Sequence, residues 1–135
     1  MKKYENGIKN KSLLSLVITS SLIEIFVTLV AIFVFAAVML FCELPAEYST
    51  IFATASVALG SFLAAFYAAK KLSKRGFAVG LIVGGITFII VTLISIFTDK
   101  GSFTSNTLFH LIIIMLASLI GGIMGVNKGL NKKYI

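Results

Sequence analysis

Acidic residues, tryptophan, proline and cysteine are all scarce in this chain of 135 residues, which has five Asp and Glu together, no Trp, one Pro and one Cys. Each shortage removes a class of explanation. A single cysteine, Cys42, allows no internal disulfide, and cysteine usage therefore reports no redox compartment. A zinc site needs several N, O or S ligands held together. The only histidine is His110, while Glu43, Glu47, Asp99 and Cys42 are scattered without ligand spacing, so neither a metal nor a cofactor is expected. No glycine-rich phosphate loop, nucleophile elbow or HExxH occurs, and a non-enzyme is expected. Without tryptophan, any aromatic belt at a membrane surface must come from Tyr4, Tyr48, Tyr67, Tyr134 and phenylalanines.

What fills the chain instead is apolar. Hydrophobic residues make up 59% of it and charged residues only 13%, more apolar surface than a soluble domain of this size can bury. The apolar residues fall into runs at about Leu13–Cys42, Ser49–Ala69, Phe77–Phe97 and Leu108–Val126, whose only charged residue is Glu24. Each run reaches the roughly 20 residues that a helix needs to cross about 30 Å of hydrocarbon. In lipid every backbone N–H and C=O must be paired within its own segment, so these runs predict spanning helices. Pro45 falls between the first two runs, where it breaks no helix interior. The expectation is an all-α, four-transmembrane-helix bundle made of two antiparallel hairpins, forming a single integral membrane domain over residues 1–135.

Positive charge sits on one side of this layout. Lys2, Lys3, Lys9 and Lys11 precede the first run, Lys70, Lys71, Lys74 and Arg75 separate the second from the third, and Lys128, Lys132 and Lys133 follow the fourth. Of the 12 Lys and Arg, only Lys100 lies on the other side, with Glu43, Glu47 and Asp99. The positive-inside rule then places both termini and the middle turn in the cytoplasm. Basic residues beside a membrane attract anionic headgroups, so the bilayer itself is the expected partner. No aromatic interleaves the basic runs, and nucleic acid is not expected. The first run exceeds the roughly 7–15 apolar residues of a signal peptide and should be retained. Its length predicts a tilt or an interfacial start.

Small residues recur every four positions. Ser56, Gly60, Ala64 and Ala68 mark span two, Gly76, Gly80 and Gly84 open span three, and Ala117, Gly121, Gly125 and Gly129 follow span four to its end. This spacing keeps them on nearly one helix face, where backbones can approach closely. A tight contact of spans two, three and four at the basic end is expected. The same faces could instead serve a homo-oligomer or a partner's helix. Gly60-Ser61-x-x-Ala64 and Gly121-Gly122-x-x-Gly125 also match as a faint parallel repeat.

Glu24 is the one residue with obvious chemistry. A carboxyl at mid-membrane costs about 2.5–3.5 kcal/mol on insertion scales and should face the bundle or a wet cavity. Ser20 and Thr28 stand one turn away on either side, with Ser21 on the same flank, as hydrogen-bond partners. Two roles are open: a proton or cation site, or a carboxyl that glues helices together.

The end of span four, Leu119-Ile120-Gly121-Gly122-Ile123-Met124-Gly125-Val126-Asn127, resembles the signature of the DUF3792 (YrzE-like) family of small four-span bacterial membrane proteins of unknown function. The resemblance extends to Gly60-Ser61-x-x-Ala64, the basic turn Lys70–Arg75, and Gly76, Gly80 and Gly84; Ser61 stands where that family tends to have a second glycine. It implies a bacterial plasma membrane and no known activity. Small multidrug-resistance transporters are similar in size, in an acidic residue midway along span one and in a glycine motif in span four. They line their drug site partly with tryptophan, which is absent here, and their antiparallel dimers need balanced loop charges. Two function classes follow: a structural or accessory membrane subunit, or a small proton-coupled transporter or channel subunit using Glu24.

Overall fold

The computed structural model describes residues 2–72, 75–98 and 105–133. Four helices account for nearly all of them: α1 (Lys2–Phe41), α2 (Ser49–Leu72), α3 (Gly76–Thr98) and α4 (Ser105–Lys133). Four segments are long and apolar enough to cross a membrane, one along each helix: Leu13–Phe41, Ala46–Leu72 (which includes the short turn leading into α2), Gly76–Thr98 and Thr107–Asn131. The expected all-helical, four-span architecture is therefore present. Asp99–Ser102, Lys74 and Tyr134 lie outside the described residues. The segment 105–107, which precedes the fourth apolar run, forms the first turn of α4.

Helix α1 is 40 residues long, or about 60 Å at 1.5 Å per residue, so its polar first turns extend beyond the apolar segment. It ends in a left-handed cap. Glu43 has φ 47°, and the Leu44 N–H donates to the Met39 carbonyl at 3.2 Å, closing a Schellman turn without a glycine. Pro45 then leads into one turn of 3-10 helix, Ala46–Tyr48, and the chain enters α2. Hydroxyls inside the spans bond back to their own helices. Ser20 donates to the Val17 carbonyl, Ser56 to Phe52 and Ser118 to Met115, each at 2.8–2.9 Å. Such back-bonding satisfies a serine in surroundings that offer no water.

The most extensive helix contact is between α2 and α4, which run parallel; α1 lies antiparallel on α2, and α3 antiparallel on α4. The α2–α3 pairing that the short basic turn suggests does form but is smaller than either helix's contact with α4. Helices α1 and α3 barely meet, and among the described residues α1 does not touch α4. The core is built from small side chains. Ala64, Ala65, Ala68 and Ala69 of α2 are buried with Leu16 of α1 and Val79 and Val83 of α3.

Glycines set these distances. Gly121 and Gly125 face α2: an added Cβ would collide with the Phe62 and Phe66 carbonyls. Gly122 faces α3, where a Cβ would strike the Gly76 carbonyl and come to 3.0 Å from Gly80 Cα. A Cβ on Gly80 would stand 2.8 Å from the Ser118 carbonyl, and one on Gly84 would overlap the Ser118 hydroxyl. In each case the hydrogen that replaces the Cβ points at a partner backbone or hydroxyl, the geometry of the weak Cα–H···O contacts common between helices. Spans two, three and four meet through small residues. Span four uses two faces: Gly121 and Gly125 toward α2, and Ser118 and Gly122 toward α3. Gly60 points away from this contact, into α1, so the matched motifs of α2 and α4 are not a repeated packing unit.

Candidate functional site

Glu24 is buried, at 7% exposure, where α1 crosses α2 and comes nearest to α3. Gly60 makes the crossing possible. A Cβ there would overlap Thr28 Oγ1 and stand 3.1 Å from the Glu24 carbonyl oxygen. The Glu24 side chain reaches past α2 to α3, where Thr87 Oγ1 donates to Glu24 Oε1 at 2.5 Å. The residues named from sequence are brought together only in part. Ser20 is buried one turn away, but its hydroxyl donates to the Val17 carbonyl, and Thr28 serves as the surface against which Gly60 packs. The partner of Glu24 is Thr87, which sequence reasoning missed. A signal was present: Thr87 follows Gly84 by three positions and so prolongs the small-residue row of α3 onto the same face.

Thr87 has a second acceptor, the Val83 carbonyl at 3.0 Å. Its hydroxyl has one hydrogen and two lone pairs. It can donate to a charged Glu24, or donate to Val83 while accepting the proton of an uncharged Glu24. The pair therefore accommodates the carboxyl in both proton states without moving a heavy atom. No other Lys, Arg, Asp or Glu falls within the four apolar runs of the sequence to offer a charged partner.

A second polar group lies at the far end from the termini. Thr54 Oγ1 and His110 Nδ1 are 2.8 Å apart, and Thr54 Oγ1 also lies 2.8 Å from the Thr50 carbonyl. With one hydrogen to give, a Thr54 hydroxyl that donates to Thr50 accepts from an Nδ1–H of His110. Both line a cavity of about 400 Å³ among α2, α3 and α4, together with Thr50, Ser95 and Thr107. On α2, Thr54 and Gly60 are six residues apart, about 9 Å, so this group is separate from the Glu24 junction. Among the described residues no three His, Cys, Asp or Glu side chains gather into a metal site.

At the termini's end, Lys70 and Lys71 occupy the last turn of α2, where they oppose the negative end of its dipole. Lys71 Nζ lies 5.8 Å from the centre of the Tyr67 ring. Arg75 is exposed, takes a left-handed φ of 54°, and immediately precedes α3.

A family model described as a protein of unknown function, DUF3792, matches residues 13–125, which reaches into all four apolar segments. Comparison with curated proteins finds no match, and comparison with solved structures finds none.

Proposed function

The chain belongs to the DUF3792 family, and from that premise we propose that it is a non-catalytic accessory subunit of a bacterial plasma membrane, with both termini in the cytoplasm. One observation supports this reading above others: beyond its contact with α2, most of the apolar surface of α1 is left uncovered by its own bundle. Only 6% of its most apolar window is buried, against 33% for α2 and for α4. The small-residue faces are already occupied within the chain, so they are not the docking surface. On α1, Leu22, Phe26, Leu29, Phe33, Ala36 and Leu40 are all exposed at alternating spacings of four and three. That is the heptad seam along which left-handed helix pairs interlock. A membrane partner's helix, or α1 of a second copy, would pack along it. The test is extraction in a mild detergent, followed by mass spectrometry of what remains bound and in what ratio. Phe26→Ala with Phe33→Ala should release the partner and leave the monomer folded. If nothing binds the wild-type chain, or the double variant keeps its partner, the accessory reading fails.

A second reading rests on Thr87. A carboxyl buried with a hydroxyl that can reverse its hydrogen bond is suited to taking up and releasing a proton or a small cation. Proton flux into liposomes carrying the wild-type chain, abolished by Glu24→Gln with folding intact, would favour a transporter or channel subunit. Flux equal in both would remove that reading.

A further inference from the structure

Below the Glu24–Thr87 bond, toward the termini, α1 and α3 part and leave a groove of about 440 Å³ floored by α2. Its walls are apolar, including Leu13 and Val17 on α1 and Ala78 and Ile82 on α3. Its lining runs from Ser20 and Val83, one turn short of Glu24 and Thr87, to Leu72 and Arg75 at the other end. From Arg75 to Val83 the rise along α3 is about 12 Å. This is close to the roughly 15 Å that one leaflet contributes to a 30 Å hydrocarbon core. The groove thus has the length, polarity and lateral opening of a slot for a lipid chain.

Its mouth selects a charge. The Arg75 side chain is exposed and the first backbone N–H groups of α3 follow it directly, an arrangement that favours phosphate. By sequence, the surrounding end of the molecule carries 11 of the 12 basic residues. We propose that this groove binds one anionic phospholipid, with an acyl chain between α1 and α3 and the headgroup phosphate on Arg75. The bound chain would fill the space that the two helices leave open, and the Glu24–Thr87 bond would form its ceiling. Such a site differs from general attraction of basic residues to a membrane, because it has a stoichiometry of one and a requirement for a chain.

The experiment uses the full chain in bilayer nanodiscs of phosphatidylcholine and phosphatidylglycerol, released into native mass spectrometry. The wild-type chain should retain one lipid, preferentially phosphatidylglycerol. Ala78→Phe, on an exposed wall of the groove, should lose retained lipid of either headgroup. Arg75→Gln should keep a lipid but lose about fivefold of the preference for phosphatidylglycerol, as expected for one basic residue at the surface. Independently of any variant's folding, phosphatidylglycerol with a photoreactive mid-chain group should label the wild-type chain mainly within 13–20 and 78–83. No retained lipid, labelling spread evenly over all four helices, a headgroup preference unchanged by Arg75→Gln, or a second protein chain cross-linked into the groove would each overturn the proposal.

Discussion

Helices α1 and α4 are held by opposite means. Helix α4 lies between two neighbours, with Gly121 and Gly125 against α2 and Gly122 against α3, so that backbone meets backbone on both sides. Helix α1 rests on α2 along one face, with Gly60 under Thr28, Phe35 against the Phe52 ring and Leu16 among the buried alanines, and it reaches α3 through the side chain of Glu24. In lipid there is no hydrophobic drive between helices, and close packing has to supply the cohesion. The contrast teaches that a chain of this size can hold one helix between two partners and another by a single face, with equally apolar sequence in both. Hydropathy does not distinguish them; the number of faces engaged does.

Substitutions that thicken α4 should break the contrast most severely. Gly122→Leu places a side chain where the backbone of α3 already stands, and should destabilise the bundle by at least about 3 kcal/mol, seen as loss of a folded species in steric trapping or detergent unfolding. Gly60→Leu should be smaller in scope. It should detach α1 while α2, α3 and α4 stay associated, so a cysteine cross-link between α1 and α2 would be lost and one between α2 and α4 retained. If both cross-links vanish together, α1 is not a separable arm. Thr87→Val removes the hydroxyl that ties α3 to α1 and should cost about 0.6–1.7 kcal/mol, the range measured for hydrogen bonds between membrane helices. On the accessory reading Glu24→Gln should be nearly neutral, because the amide oxygen still accepts from Thr87. Gly85→Ala should have the least effect: an added Cβ there meets nothing within 4 Å, and unfolding should match the wild-type chain.

The sequence disclosed the four spans, the importance of Glu24 and the small-residue rows, because each depends only on composition and periodicity along one helix. It did not disclose which helix each row faces. Gly121 and Gly122 are adjacent, so they project about 100° apart, and a periodicity of four can be counted from either. Counting from Ala117 finds the face toward α2 and passes over the Ser118–Gly122 face toward α3. Spacing alone places Gly60 in the glycine-lined contact for a similar reason: its row, Ser56 to Ala68, is buried throughout, but α2 is surrounded and parts of that row face different neighbours. Thr87 is hidden among other threonines of α3. Thr92 even has a buried hydroxyl oxygen without a hydrogen-bond partner, so burial alone would not single out Thr87. What distinguishes it is the rotation of α3, which is set by the glycines it shares with α4.

The position of α4 also bears on how the protein is made. A ribosome delivers the chain from its N-terminus, so of the four helices the one that two others clasp leaves it last. Until then α3 has lipid tails along Gly76, Gly80 and Gly84, and α2 has none of its Phe62 and Phe66 carbonyls covered. The bundle consequently closes only once α4 has been made. A chain stopped before residue 105 would lack the wedge on which α2 and α3 set, and would present membrane quality control with three helices whose small-residue faces are uncovered.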